Sequence, residues 1–209
     1  MESLFSDSSK ARVIAFGAHP DDIEVGAGGT VGRLARAGAN VNLVVVCVPN
    51  QVEERLAEAK KSADILGATS RVLFAKQSRV EDIPMHELVR AMDEVVKDIQ
   101  PDLVLVHSAS DLHWDHGLVN RAAISALRRT PSNLLAFTSS YELNAQSRAM
   151  GQCFVDISQS IGSKMAAIAA HVTQLPKLDL EGARDLARAM GRICGVTYAE
   201  VFEVLRMRI

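Results

Sequence analysis

His19-Pro20-Asp21-Asp22 sets an imidazole and two adjacent carboxylates directly after an apolar run, Arg12-Val13-Ile14-Ala15-Phe16-Gly17. That run reads as a first β-strand, and in an open α/β sheet ligands bind in the crevice beyond the strand C-termini. Many nucleotide-binding proteins place glycines there, so that backbone N–H groups cradle phosphate. This chain places acceptors and negative charge instead, which repel phosphate and suit a metal cation. A second cluster, His113-Trp114-Asp115-His116, follows another apolar run much later. His19 and Asp22, three residues apart in one loop, can converge on a single ion, and His116 can complete a His₂Asp set from across the crevice. Three protein ligands and one open position is the arrangement of a catalytic zinc, which lowers the pKa of its bound water to about 7. Imidazole and carboxylate suit zinc, and would also accept iron, cobalt or manganese. Together the two clusters read as a divalent-metal hydrolase site.

The elements that must hold these residues alternate between strand and helix. Strands are expected over 12–17, 40–48, 71–75, 102–107, 134–138, 153–157 and 199–205. Helices are expected over 26–38, 51–66, 84–101, 115–129, 164–174 and 180–195. The run Val41-Asn42-Leu43-Val44-Val45-Val46-Cys47-Val48 is β-branched and continuous, as in strands buried on both faces. Such alternation implies a single-domain, Rossmann-like α/β fold with a mostly parallel sheet and helices on both faces. Gly26, Gly28 and Gly29 are expected to form a tight turn before the first helix. No linker or repeat divides the chain, so residues 1–10 read as a frayed leader and 11–209 as one domain.

With 209 residues and a net charge of −2, the chain lacks the basic surplus of a nucleic-acid binder. No run of apolar residues is long enough to span a membrane, and the N-terminus lacks the pattern of a secretory signal. Cys47, Cys153 and Cys194 include no C-x-x-C pair, which suits free, mostly buried thiols in a reducing cytoplasm.

Gly17-Ala18-His19-Pro20-Asp21-Asp22-Ile23-Glu24 with Gly28-Gly29-Thr30, and then His113-x-Asp115-His116, resemble the two motifs of the PIG-L/LmbE-like zinc-dependent de-N-acetylases. Weaker echoes are Arg55-x-x-Glu58-Ala59, Leu66-Gly67, Val155-Asp156-Ile157 and Tyr198-Ala199-Glu200-x-Phe202, so the resemblance covers nearly the whole chain. It implies a Rossmann-like fold, zinc held by His19, Asp22 and His116, and removal of an acetyl group from an N-acetylated amino sugar. It further implies Asp21 as general base and His113, as an imidazolium, stabilising the oxyanion or protonating the leaving amine. Asp115 then orients His113 or its loop, and Glu24 supports the first motif. Relatives often assemble as trimers or hexamers, so a homo-oligomer is expected. The short loop Pro49-Asn50-Gln51-Val52, and Leu112 before His113, depart from the pattern of some relatives. These departures remodel recognition loops and leave the metal motifs intact, so the preferred substrate is a small or nucleotide-linked N-acyl amino sugar.

Other polar residues have plainer alternatives. His86 and His107 read as structural histidines. His171, in a pattern with Lys164 and Gln174, belongs either to the core or to a pocket or subunit interface. Arg55 is a candidate for gripping a hydroxyl, carboxylate or phosphate, against a solvated helix face among Glu53, Glu54 and Glu58. Trp114 is a sugar-stacking surface or ordinary packing. Two functional alternatives stay open: a non-catalytic metal-binding or interaction module, and a zinc hydrolase of another N-acyl or ester bond.

Overall fold

The computed structural model describes residues 10–76, 79–139 and 153–208. The leader at 1–9 and the Tyr141-Glu142 segment lie outside the described residues. In chain order the elements are β1 (Arg12–Gly17), α1 (Asp22–Arg36), β2 (Asn40–Cys47), α2 (Val52–Leu66), β3 (Thr69–Phe74) and α3 (Met85–Ile99). They continue with β4 (Leu103–His107), α4 (Trp114–Ala126), β5 (Asn133–Phe137), β6 (Cys153–Asp156), α5 (Ile161–Ala169), α6 (Leu180–Cys194) and β7 (Ala199–Arg206).

The seven strands run in the order β3-β2-β1-β4-β5-β7-β6. β1 to β5 are mutually parallel, whereas β7 runs antiparallel to β5 and β6 antiparallel to β7. The chain steps outward from β1 through β2 to β3, then returns to add β4 on the other side of β1. That reversal opens a crevice at the C-terminal ends of β1 and β4, where doubly wound sheets bind ligands. Helices cover both faces. Ile23, Ala27, Val31 and Leu34 of α1 pack with Ala63 and Leu66 of α2, Ala167 of α5 and Ala187 of α6 on one face. Leu88, Met92, Val95 and Val96 of α3 pack with Val119, Ala122, Ala123 and Ala126 of α4 on the other.

α1 begins at Asp22 rather than Gly26, so its glycines lie inside the helix and form no turn. Their smallness serves packing. A Cβ on Gly26 would sit 2.2 Å from Phe137 Cδ2, and one on Gly29 would sit 2.7 Å from Ile157 Cδ1. α1 thus lies closer to β5 and to the end of β6 than any side-chain-bearing helix could. A buried ion pair splints it: Lys164 Nζ donates to Glu200 Oε1 (2.6 Å) and to the Val25 carbonyl (2.7 Å), and Glu200 accepts the Gly29 and Thr30 N–H groups. The segment 164–174 also departs from a single helix. α5 ends at Ala169, and a 3₁₀ turn over Val172–Gln174 follows His171. Cys47 and Cys153 are buried as expected, but Cys194, at the end of α6, is exposed.

Candidate active site

β1 ends at Gly17, and the chain turns through Asp21, whose φ of +103° is a conformation L-residues rarely adopt. Strain of this kind costs on the order of 1–3 kcal/mol and persists only where neighbours hold it. Arg55 Nη2 donates to the Pro20 carbonyl (2.9 Å), and the Asp21 carbonyl accepts from Val25 N–H (3.0 Å). Asp22 therefore opens α1, where the positive helix end favours a carboxylate, and the Asp21 side chain makes no capping bond.

β4 ends at His107, and the following loop leads through Asp111 to His113, the N-cap of α4. Because β4 lies beside β1, this loop brings the second cluster onto the first. Donor atoms of His19, Asp22 and His116 all lie within 4.8 Å of one another. Asp22 Oδ1 is 3.2 Å from His116 Nε2, and Asp22 Oδ2 is 3.6 Å from His19 Nδ1. A tetrahedral zinc with bonds of about 2.0–2.1 Å holds its ligand atoms roughly 3.3–3.4 Å apart, so the spacing fits.

The remaining ring nitrogens are oriented by carboxylates. His19 Nε2 lies 3.0 Å from Asp115 Oδ2, and His116 Nδ1 lies 2.9 Å from Asp111 Oδ1. Each carboxylate holds the proton on the outer nitrogen and leaves the inner lone pair for a metal, the usual arrangement of metal-binding histidines. Burial lowers the pKa of both rings, but their carboxylate neighbours outweigh it, raising His19 to about 10 and His116 to about 9. Burial raises Asp22, yet His116 and His107 hold it well below the usual carboxylate range. Protons and a divalent cation compete for these same lone pairs, so the surplus of negative charge favours either.

Asp21 lies beside this set in a cleft of about 510 Å³, which it lines with His19, Arg55, His113 and Trp114. Burial and the neighbouring Asp22 raise its carboxyl to about 7, against the pull of Arg55, whose Nη2 lies 3.7 Å away, and of His171.

The other expected residues take less expected positions. Asp115 orients His113 only through its backbone, whose N–H donates to His113 Nδ1 (3.2 Å), while its carboxylate accepts from Val80 N–H and faces His19. Burial, His116 and His19 lower the pKa of His113, against the pull of Asp115 and Asp22, and its Nδ1 is engaged by the Asp115 N–H. Arg55 is not on a solvated helix face, and it lines the cleft beside Asp21. At 3% exposure it donates to the Pro20 carbonyl and to Asn50 Oδ1. Glu24 is buried under the first motif, where Ser62 Oγ donates to it (2.5 Å) and His171 Nε2 lies 3.2 Å away. Trp114 is 64% exposed at the cleft wall, which rules out ordinary packing.

Two residues here escaped the reading of the sequence as site groups. His107, expected to be merely structural, stacks on His116 (3.8 Å between centroids, 9° between planes), and its Nε2 accepts Ala18 N–H and lies 3.3 Å from Asp22 Oδ2. Burial lowers its pKa, so it is a neutral ring bracing two of the candidate ligands. Asp111 was not singled out at all, although it holds His116, accepts His113 N–H and accepts Ser139 N–H. Their place at the end of a strand beside β1 was the one available signal. His107, Asp111 and His116 form a second possible ion-binding group, but the His107 Nε2 lone pair is already used by Ala18. The first group is the better cation site.

Several known proteins are similar to this chain. It is 28% identical to the uncharacterized deacetylase YaiS of Escherichia coli (strain K12) over 180 residues, covering 81% of this chain and 95% of YaiS. It is 27% identical to the diacetylchitobiose deacetylase of Thermococcus kodakarensis over 225 residues, covering 94% of this chain and 83% of that protein. Its fold matches that of GalB, the 4-carboxy-2-hydroxymuconate hydratase of Pseudomonas putida KT2440, with a TM-score of 0.78 at 22% identity, covering 94% and 97% of the two chains. The model of the family described as PIG-L, GlcNAc-PI de-N-acetylase, matches residues 14–127, which span both clusters, and the chain belongs to that family.

Proposed function

We propose that this protein is a zinc-dependent hydrolase that removes the acetyl group from an N-acetylated amino sugar of the N-acetylglucosamine type. The observation that carries this reading is the convergence of His19, Asp22 and His116 at the β1/β4 crevice, with a spare, partly buried carboxylate, Asp21, lining the same cleft. Metal binding alone would need no such group. The family description and the named activity of the Thermococcus relative both point to acetyl groups on amino sugars. GalB carries a different reaction on the same fold, so the fold by itself does not select the chemistry.

His19 Nδ1, Asp22 and His116 Nε2 would hold the zinc, which when bound supplies carbonyl polarisation and a water of depressed pKa. Asp21 accepts the proton of the attacking water from its place in the cleft beside the metal-holding residues. It then delivers the proton to the amide nitrogen as the C–N bond breaks, so that acetate and the free amine leave. His113 donates its Nε2 proton as a hydrogen bond to the carbonyl oxygen as charge builds there. Asp115 and Asp111 keep His19 and His116 in the ligating tautomers, and Arg55 holds Asp21 in its strained turn.

Acetate release tests this across free N-acetylglucosamine, diacetylchitobiose, and nucleotide- and thiol-linked N-acetylglucosamine. Activity should vanish with a chelator and return with Zn²⁺. Asp21→Asn should retain metal and lose about 10²–10⁴-fold in kcat. Unchanged kcat would remove Asp21 from the mechanism, and tight metal binding with no turnover of any substrate would favour the non-catalytic alternative.

A further inference from the structure

Trp114 occupies an unusual position for the sole tryptophan of the chain. It follows the N-cap His113 in the first turn of α4 and is 64% exposed, yet it lines the cleft with His19, Asp21 and His113. The cleft wall is largely polar. Arg79 and Glu81, ion-paired at 2.6 Å, line the cleft with it, as do Gln174 and Lys177. Among the described residues that line the cleft with it, Pro49 is the one aliphatic group, and the indole stays largely exposed, so its face is offered to a ligand. Leaving an indole in water forgoes the stabilisation that burying it would bring.

Resting on the deacetylase reading above, we propose that Trp114 is the platform on which the substrate's pyranose ring stacks. A pyranose is the class of substrate that suits this cleft. One face of the ring presents a patch of C–H groups that covers an indole, while its hydroxyls point outward to polar walls. Gln174 and Lys177 are there to receive them, and Lys177 is exposed, with a bond through its backbone alone among the described residues. Trp114 lines the same cleft as His113, Asp21 and His19, so a ring held on it brings its N-acetyl group within the reach of those residues. The platform thereby selects cyclic amino sugars over acyclic N-acetyl amines through binding, without touching the reacting atoms.

A single tryptophan makes its own reporter. Asp21→Asn protein loaded with Zn²⁺ is titrated with methyl N-acetyl-β-glucosaminide and with diacetylchitobiose while indole emission is followed. A saturable blue shift is expected as the sugar displaces water from the ring, and acyclic N-acetylethanolamine should give none. In the wild-type background Trp114→Ala should raise KM for the pyranosides about 3- to 10-fold with kcat little changed, and Trp114→Phe should recover most of the loss. Acetate release that saturates with no change in emission would overturn the platform and leave the deacetylase reading standing. Saturable emission changes without acetate release from any substrate would keep the platform and sink the deacetylase reading. Binding of neither pyranoside, or an equal shift with N-acetylethanolamine, would also overturn the platform.

Discussion

Asp111→Asn removes one charge from the residue that sets the tautomer of His116, and its consequence can be worked from the structure. The Asp111 carboxylate is fully engaged: Oδ1 lies 2.9 Å from His116 Nδ1 and accepts His113 N–H at 3.1 Å, while Oδ2 accepts Ser139 N–H at 3.0 Å. Asparagine keeps one acceptor oxygen but turns an N–H₂ toward a group that is itself a donor. Losing a buried, charge-assisted hydrogen bond costs about 1.5–3 kcal/mol. Replacing a partner behind a metal-bound histidine costs about 10- to 100-fold in metal affinity, roughly 1.4–2.8 kcal/mol. The two figures agree, and both arise because His116 Nε2 is presented inward only while Nδ1 holds its proton against Asp111. Competition between the metal-free protein and a chromophoric zinc chelator at neutral pH measures the change, with thermal unfolding of the metal-free variant run alongside. The variant should remain folded and bind Zn²⁺ at least tenfold more weakly. An affinity indistinguishable from wild type in a folded protein would refute the assigned tautomer and, with it, Nε2 of His116 as the ligating atom.

Two further outcomes follow from packing and from charge. Gly26→Ala should destabilise the fold by about 1–3 kcal/mol despite the better helix propensity of alanine, because its Cβ meets the Phe137 ring, whereas Gly162→Ala, with nothing within 4 Å, should stabilise by about 0.5–1 kcal/mol. Denaturant midpoints of the pair decide this, and equal effects would show that α1 does not approach β5 as closely as described. The contact between His171 and Glu24 should leave a mark on stability against pH in the metal-free protein. Burial opposes the charge on His171, but Glu24 raises its pKa above 6.5; burial also opposes the charge on Glu24, but His171 and Ser62 lower its pKa below 4.5. A raised histidine stabilises below pH 6.5 and loses that contribution as pH rises through its folded pKa. A lowered glutamate stabilises above pH 4.5 and loses its contribution as pH falls through its folded pKa. The difference in unfolding midpoint between wild type and His171→Gln should therefore peak between about pH 4.5 and 6.5 and shrink on both sides. A difference constant with pH would mean that His171 contributes by packing alone.

Much of this molecule was legible in the order of its residues. Hydrophobic period and β-branched runs located the strands among the described residues to within two residues, most plainly for β1, β2 and β4, because a strand buried on both faces must be apolar throughout. Strand–helix alternation implied the parallel sheet. His19 and Asp22 were legible as a pair because three residues of separation at a helix start bring two side chains to one point, a local relation that spacing encodes. The pairing with His116 could be anticipated only as a match between strand ends. What the tertiary structure alone decided was everything set by which strand lies beside which. The return of β4 to the free side of β1 places His107 beneath His116 and Asp111 behind it, and neither residue belongs to a motif. The same proximity turns the Asp115 carboxylate to His19. It is close approach to Phe137 and Ile157, rather than a turn, that requires glycines within α1. Arg55 read either as a group gripping a ligand or as part of a solvated helix face among acidic neighbours, yet it is buried and donates to the Pro20 carbonyl on another element. Local sequence records the periodicity of an element and the chemistry of a turn, whereas the partner of a buried polar group is chosen by strand order and helix packing, which no short window of residues contains.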